Sequence, residues 1–182
     1  VIENISADAI KIVSVTRNIK ISGVSFISIG AACVYSDDSV GLIVDSCTFQ
    51  SSVTGMDLRS TTNGRVILSN SIGVCTNNLL VGYLTDNISV INCIVSGIVN
   101  SSAIYLNRCN NCLVIGCNMD MGSASFDAIR AWGSSNTANN ITAVGNYASG
   151  TYQYGLYCYS NSDKIIAIGN NFSAASSGAV HA

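Results

Sequence analysis

The chain has 182 residues, of which 48% are hydrophobic and only 10% charged, with a net charge of -2. A mean hydropathy of +0.41 excludes a disordered tail, and no apolar run reaches the ~18 residues of a membrane helix. The weakly acidic balance excludes the basic surface that nucleic-acid phosphates require, so no nucleic-acid partner is expected.

Short apolar-x-apolar units recur along the chain: Ile19-Lys20-Ile21, Leu42-Ile43-Val44, Val66-Ile67-Leu68, Ile88-Ser89-Val90, Leu113-Val114-Ile115, Ile141-Thr142-Ala143 and Ile165-Ile166-Ala167. Their starts lie 22 to 28 residues apart. A second unit, a small residue followed by an apolar one, keeps the same rhythm: Ala9-Ile10, Ala32-Cys33, Gly55-Met56, Leu79-Leu80, Ala103-Ile104, Ala128-Ile129, Gly155-Leu156 and Gly178-Ala179. Period-2 alternation predicts strands, and a repeat of this length holds about three strands and three turns. The expected fold is all-β, a right-handed parallel β-helix of about seven rungs, with residues 1–182 forming one domain. Val1 in place of Met, and a close at Ala179-Val180-His181-Ala182 in mid-strand, predict a segment of a longer chain.

The turn before the first unit carries Asn18, Gly41, Asn87 and Asn140, residue types that tolerate the left-handed backbone of a sharp corner. After the unit comes the column Val24, Cys47, Ser71, Cys93, Asn118, Asn146 and Asn170, whose members would stack about 4.8 Å apart. On coil length and these columns the chain resembles the pectate-lyase-like β-helix superfamily, and within it the β-helix of bacteriophage tailspikes. The resemblance spans nearly the whole chain and implies a parallel homotrimer. It also implies a virion protein of the phage tail, assembled in the host cytoplasm and acting outside the cell. It carries no catalytic signature: the Gly-His-Gly and Arg-Ile-Lys elements of the polygalacturonase-like pattern are both missing, and no acidic cluster suggests a lyase calcium site.

Eight cysteines follow the repeat, and Cys33, Cys47, Cys93 and Cys158 occupy columns otherwise apolar or serine, as buried free thiols would. Disulfides are the alternative in a secreted protein. Cys109-Asn110-Asn111-Cys112 with Cys117 has zinc-like spacing but no second ligand pair, so neither metal nor cofactor is expected. Abundant reduced cysteine favours assembly in a reducing cytosol.

Alternation sends one column outward as Lys11, Val34, Asp57, Val81, Tyr105, Arg130, Tyr157 and His181. The next reads Val13, Ser36, Arg59, Tyr83, Asn107, Trp132 and Tyr159. Aromatic rings with Arg, Asp and Asn donors suit a sugar polymer laid along the axis, so Arg59, Tyr83, Tyr105, Arg130, Trp132, Tyr157 and Tyr159 are the expected contacts to a bacterial surface polysaccharide. Alternatively the large side chains only stack on one another. The other strand sends out Ile43, Ile67, Val114 and Ile166, then Ile91, Val144 and Ile168, an apolar face suited to sister chains or to a covering terminal segment.

Glycoside hydrolysis uses two carboxylates, about 5–5.5 Å apart for retention and 6.5–9.5 Å for inversion. The catalytic candidates are Asp57, which projects among the aromatic columns, with Asp127 or Asp38. Asp120 falls in a column of Phe26, Phe49 and Phe172, which predicts either a shifted register or a partly buried acid. Three functions stay open: a depolymerase, a glycan-binding protein without hydrolysis, and the structural shaft of a fibre.

Overall fold

The computed structural model describes residues 1–13, 17–60, 64–123, 125–132, 140–159 and 164–181. Every strand pairing is parallel, and the chain winds through seven successive coils. The first holds β1 (Ile2–Glu3), β2 (Ile10–Val13) and β3 (Arg17–Ser22). The second holds β4 (Ser25–Ile27), β5 (Ala32–Asp37) and β6 (Val40–Asp45). In the third and fourth, two segments fuse into one bent strand: β7 (Thr48–Arg59) then β8 (Val66–Ser69), and β9 (Ile72–Tyr83) then β10 (Ile88–Ile91). The fifth is β11 (Ile94–Ile98), β12 (Ile104–Asn107) and β13 (Cys112–Ile115), and the sixth β14 (Asn118–Gly122), β15 (Ile129–Trp132) and β16 (Ile141–Val144). The seventh is β17 (Tyr147–Cys158) with β18 (Ile165–Ile168), and β19 (Ala175–His181) pairs onto β17. One sheet stacks seven strands from β3 to β18, and the other twelve wrap two sides of the coil as a single bent sheet.

Alternation builds the core, because every second side chain of each strand enters the coil. Leu42, Val66, Ile88, Cys112 and Ile141 form one inward column and Met56, Leu80, Ile104, Ile129 and Leu156 another, all at most 2% exposed. Coil length varies, and this shifts two units by one residue from the spacing-based reading. In the second coil Val34, not Cys33, aligns with Ile10 and Met56. In the fifth Cys112-Leu113-Val114 replaces Leu113-Val114-Ile115.

Corners are capped by three ladders of polar side chains. Asn18, at the start of β3, and Asn87, Asn111 and Asn140, just before β10, β13 and β16, take left-handed angles of +55° to +56°. A second column runs Cys47, Ser71, Cys93, Cys117, Asn146 and Asn170, so Cys117 stands where Asn118 was expected. Oγ of Ser71 accepts the Cys47 N–H at 3.1 Å, and Oδ1 of Asn146 accepts that of Cys117 at 2.9 Å. The cysteines of this column are not simply oily filler. Each directs its S–H at the carbonyl two residues back, at 3.4 Å for Cys47 and Cys93 and 3.5 Å for Cys117, much as Ser71 donates to Ser69.

A third ladder, Asp8, Thr54, Asn78, Ser102 and Asp127, stands just ahead of the inward units. Oδ1 of Asp8 accepts the Ala32 N–H at 3.1 Å, and Oδ1 of Asp127 accepts the Tyr154 N–H at the same distance. Gly55, beside this ladder, has no room for a side chain because coils approach closely: a Cβ there would meet the Leu79 carbonyl oxygen at 2.6 Å.

All eight cysteines are buried and free. Burial pushes the Cys33 thiol up to about 11 and those of Cys75 and Cys158 up to about 12, far from thiolate at neutral pH. A thiol reagent should therefore label almost none of them in the folded chain and all eight once denaturant is added without reductant. Fewer than eight after unfolding would mean disulfides.

Candidate functional site

Residues pointing out of the second half of the twelve-stranded sheet form two adjacent columns. In the first, Lys11, Tyr35, Asp57, Val81, Tyr105, Arg130, Tyr157 and His181 are register partners from coil to coil. In the second the order is Val13, Asp37, Arg59, Tyr83, Asn107 and Trp132, extended by Tyr159, which stacks on Trp132. The one-residue shift in the second coil changes both lists. Val34 and Ser36, expected outside, are fully buried, and the Ser36 hydroxyl is hydrogen-bonded to that of Ser39. Tyr35 and Asp37 take their places, so Asp57 is not the only carboxylate on this face.

The seven expected sugar contacts all lie on this face, and the rings stack along the axis. Trp132 and Tyr159 are 4.1 Å apart and inclined by 19°, and Tyr157 and His181 are 5.1 Å apart and inclined by 5°. Each basic residue covers a ring as well. Lys11 Nζ lies 5.3 Å from the Tyr35 centroid and the Arg59 guanidinium 5.6 Å from that of Tyr83, while Arg130 sits 5.6 Å from Trp132 and 5.4 Å from Tyr157. Most rings of the ladder are thus in contact with a neighbouring ring or cation. Asn107 Nδ2 donates to the Tyr105 hydroxyl at 3.1 Å, which fixes that group within the row.

Both arginines are held by carboxylates. Arg59 donates to both oxygens of Asp57, from Nε at 2.7 Å and Nη2 at 2.9 Å. Arg130 Nε donates to Oδ2 of Asp127 at 2.8 Å. The two acids differ in surroundings: the Asp57 side chain is 20% exposed and that of Asp127 not at all. Asp127 is the corner cap described above, and its second oxygen positions Arg130.

The three catalytic candidates do not converge. Asp57 aligns with Arg130 through three coil steps, so Asp127 lies roughly 14 Å along the axis from it, beyond either glycosidase spacing. Asp38 sits exposed at the corner after β5 with φ +56°, its N–H bonded to the Arg59 carbonyl at 3.1 Å. Asp37, facing Arg59 from the next coil, is one rung and two residues from Asp57. That places their Cα atoms roughly 8 Å apart. Asp120 is exposed, and Met119 fills the phenylalanine column in its place, so the register is shifted and no acid is buried there.

Burial pushes the Asp127 carboxyl above its ordinary 3.8, and the charge of Arg130 pulls it back only in part. The folded chain therefore binds this proton more tightly than the unfolded one. The contribution of Asp127 to stability is greatest below pH 3.8 and declines as pH rises through the folded-state value. Denaturation midpoints measured from pH 3.5 upward should show a shallower decline in Asp127→Asn than in the parent chain. Equal slopes would contradict the raised value.

The apolar face differs from expectation as well. Val114 is buried and Leu113 points out instead, while Ile43, Ile67, Ile91 and Val144 are half-buried by their stacked neighbours. Ile166 (46%) and Ile168 (59%) in the last coil are exposed as expected, and a second exposed apolar row lies on the first half of the twelve-stranded sheet, at Ile72 (51%), Ile94 (47%) and Val74 (45%). A cavity of about 280 Å³ is lined by Asn18, Ile19, Lys20, Gly41, Ile43, Arg65 and Ile67 on the seven-stranded sheet, away from the aromatic ladder. Among the described residues no group of three His, Cys, Asp or Glu side chains gathers to hold a metal.

No curated protein and no solved structure matches the chain significantly. A family model described as a right-handed beta helix region matches residues 8–174, nearly the full length of the solenoid. With parallel coils throughout, the chain belongs to the right-handed β-helix family.

Proposed function

We propose that this chain binds a linear bacterial surface polysaccharide laid along the solenoid axis, against the ladder from Tyr105 to His181. The observation that carries this reading is the row of aromatic side chains Tyr105, Trp132, Tyr157, Tyr159 and His181 on one face, with Arg130 against both Trp132 and Tyr157. Coils repeat every ~4.8 Å, close to the spacing of successive sugars in an extended chain, so one set of donors can meet one repeat unit after another. Proteins on this fold commonly act on polysaccharides, which supports the same assignment.

Hydrolysis is a second reading, favoured by one observation. Asp37 and Asp57 share this outward face on adjacent coils, their Cα atoms roughly 8 Å apart, and a pair of neighbouring carboxylates is what glycoside hydrolysis uses. On this reading the chain is part of a tailspike-like depolymerase of a phage virion, assembled in the host cytoplasm and acting outside the cell. Eight buried free thiols suit a reducing site of assembly, and the exposed Ile72, Val74 and Ile94 suit packing in a parallel homotrimer.

A panel of bacterial polysaccharides incubated with the folded chain tests both readings. Retention of at least one glycan, weakened about tenfold by Tyr105→Ala, supports binding. New reducing ends that disappear in Asp37→Asn and Asp57→Asn support hydrolysis. Retention of no glycan, or unchanged affinity in the variant, removes the polysaccharide assignment.

A further inference from the structure

One corner column of the solenoid has a gap. Its asparagines fill the space between coils: Asn111 Nδ2 donates to Asn87 Oδ1 at 3.3 Å, and Asn140 Nδ2 to Asn111 Oδ1 at 2.8 Å. In the second coil the position is Gly41, at φ +77°. A Cβ there would lie 2.9 Å from Oδ1 of Asn18. The missing side chain leaves the 280 Å³ pocket between Asn18 of the first coil and Arg65 of the third.

The lining has two chemistries. Lys20, Ile43 and Ile67 are register partners in one outward column, so the two isoleucines form an aliphatic wall that continues past the lysine. Lys20 and Arg65 place two exposed cations on the same pocket, with the Asn18 amide as a further polar group. Asp45 is the acid whose charge Lys20 feels, and its carboxylate already accepts hydrogen bonds from Ser69 at 2.7 Å and Asn70 at 2.9 Å. The volume falls just below the roughly 300–1,000 Å³ of drug-sized ligand sites, so the occupant is small.

We propose that this pocket binds a small aliphatic carboxylate. Its chain lies on Ile43 and Ile67, and its anionic head sits between Lys20 and Arg65, where charge-assisted hydrogen bonds are the strong ones available. The site is separate from the polysaccharide ladder and does not depend on it.

Octanoate, titrated into the folded chain by calorimetry, is the direct probe, with acetate and octan-1-ol as partial ligands. Saturable binding at one site is expected, with both partial ligands about tenfold weaker or worse. Gly41→Asn fills the gap with the residue that the column uses elsewhere, also in the left-handed region, and needs only the flexible Asn18 amide to shift, so a variant with the parent's circular dichroism should no longer bind. Lys20→Gln with Arg65→Gln, both at exposed positions, should raise the Kd about tenfold or more. No saturable octanoate binding, octan-1-ol binding as tight as octanoate, or unchanged affinity in a folded Gly41→Asn variant would each overturn the proposal.

Discussion

Phe49→Ala should destabilise the chain by about 3–5 kcal/mol, the largest effect expected of any single substitution considered. Phe49 is fully buried, and its ring stacks on Phe26 at 5.6 Å between centroids. Its register partner in the next coil is Gly73, which has no side chain to lean into the space left behind. The ring also packs over Gly55, whose built Cβ would lie 3.3 Å from Phe49 Cδ2. With glycine on two sides the cavity can collapse little, and the cost belongs at the upper end of the range. A solenoid is held together by neighbouring coils, so melting should begin around the second, third and fourth. Thermal unfolding followed by circular dichroism should show the midpoint falling by roughly 6–20 °C. A loss under about 1 kcal/mol would mean that the coils repack around the hole.

Asn146 gives the second large effect and a sharper contrast. Its side chain is 1% exposed and joins three coils: Oδ1 accepts the Cys117 N–H, and Nδ2 donates to the Val114 carbonyl and to Asn170 Oδ1, each at 2.9 Å. Leucine at this position has similar size but leaves the Cys117 N–H buried and unpaired, while the Val114 carbonyl keeps its place in the ladder with β16. The unpaired donor costs about 1–3 kcal/mol and the lost bond to Val114 about 0.5–1.5 kcal/mol, so Asn146→Leu should cost about 2–4 kcal/mol. Asn146→Ser should cost much less, because Ser71 already caps the same corner with a hydroxyl that accepts the Cys47 N–H. Equal losses in the two variants, read from denaturant midpoints, would show that packing rather than hydrogen bonding sets the cost.

These two residues also show what the sequence made legible. The repeat itself was plain, because every coil returns an apolar-x-apolar unit after a corner residue, and the columns of Asn and Cys followed from it. Register within a coil was harder. Coil length varies by a few residues, and a single extra residue flips every side chain between core and solvent. Ser36 was placed outward by counting alternate residues from the Ala32-Cys33 unit, yet its hydroxyl is bonded to that of Ser39 inside the coil. That one slip hid Asp37, the acid nearest the Asp57–Arg59 pair by register. Asp127 was expected as a catalytic partner of Asp57, and its polar column with Asp8, Thr54, Asn78 and Ser102 was the signal for a corner cap. The ring-on-ring stacking of Trp132 and Tyr159 was foreshadowed only as an alternative, since alternation assigns a side chain to a face and not to a tilt.

Trp132 is the only tryptophan in the chain and sits inside the proposed sugar ladder, between Arg130 and Tyr159. Its fluorescence therefore reports on the central claim without a label. Titration with a polysaccharide that the chain retains should give a saturable change in Trp132 emission, with the same midpoint as binding measured by calorimetry. Binding by calorimetry with no change in Trp132 emission would place the sugar elsewhere and contradict the account.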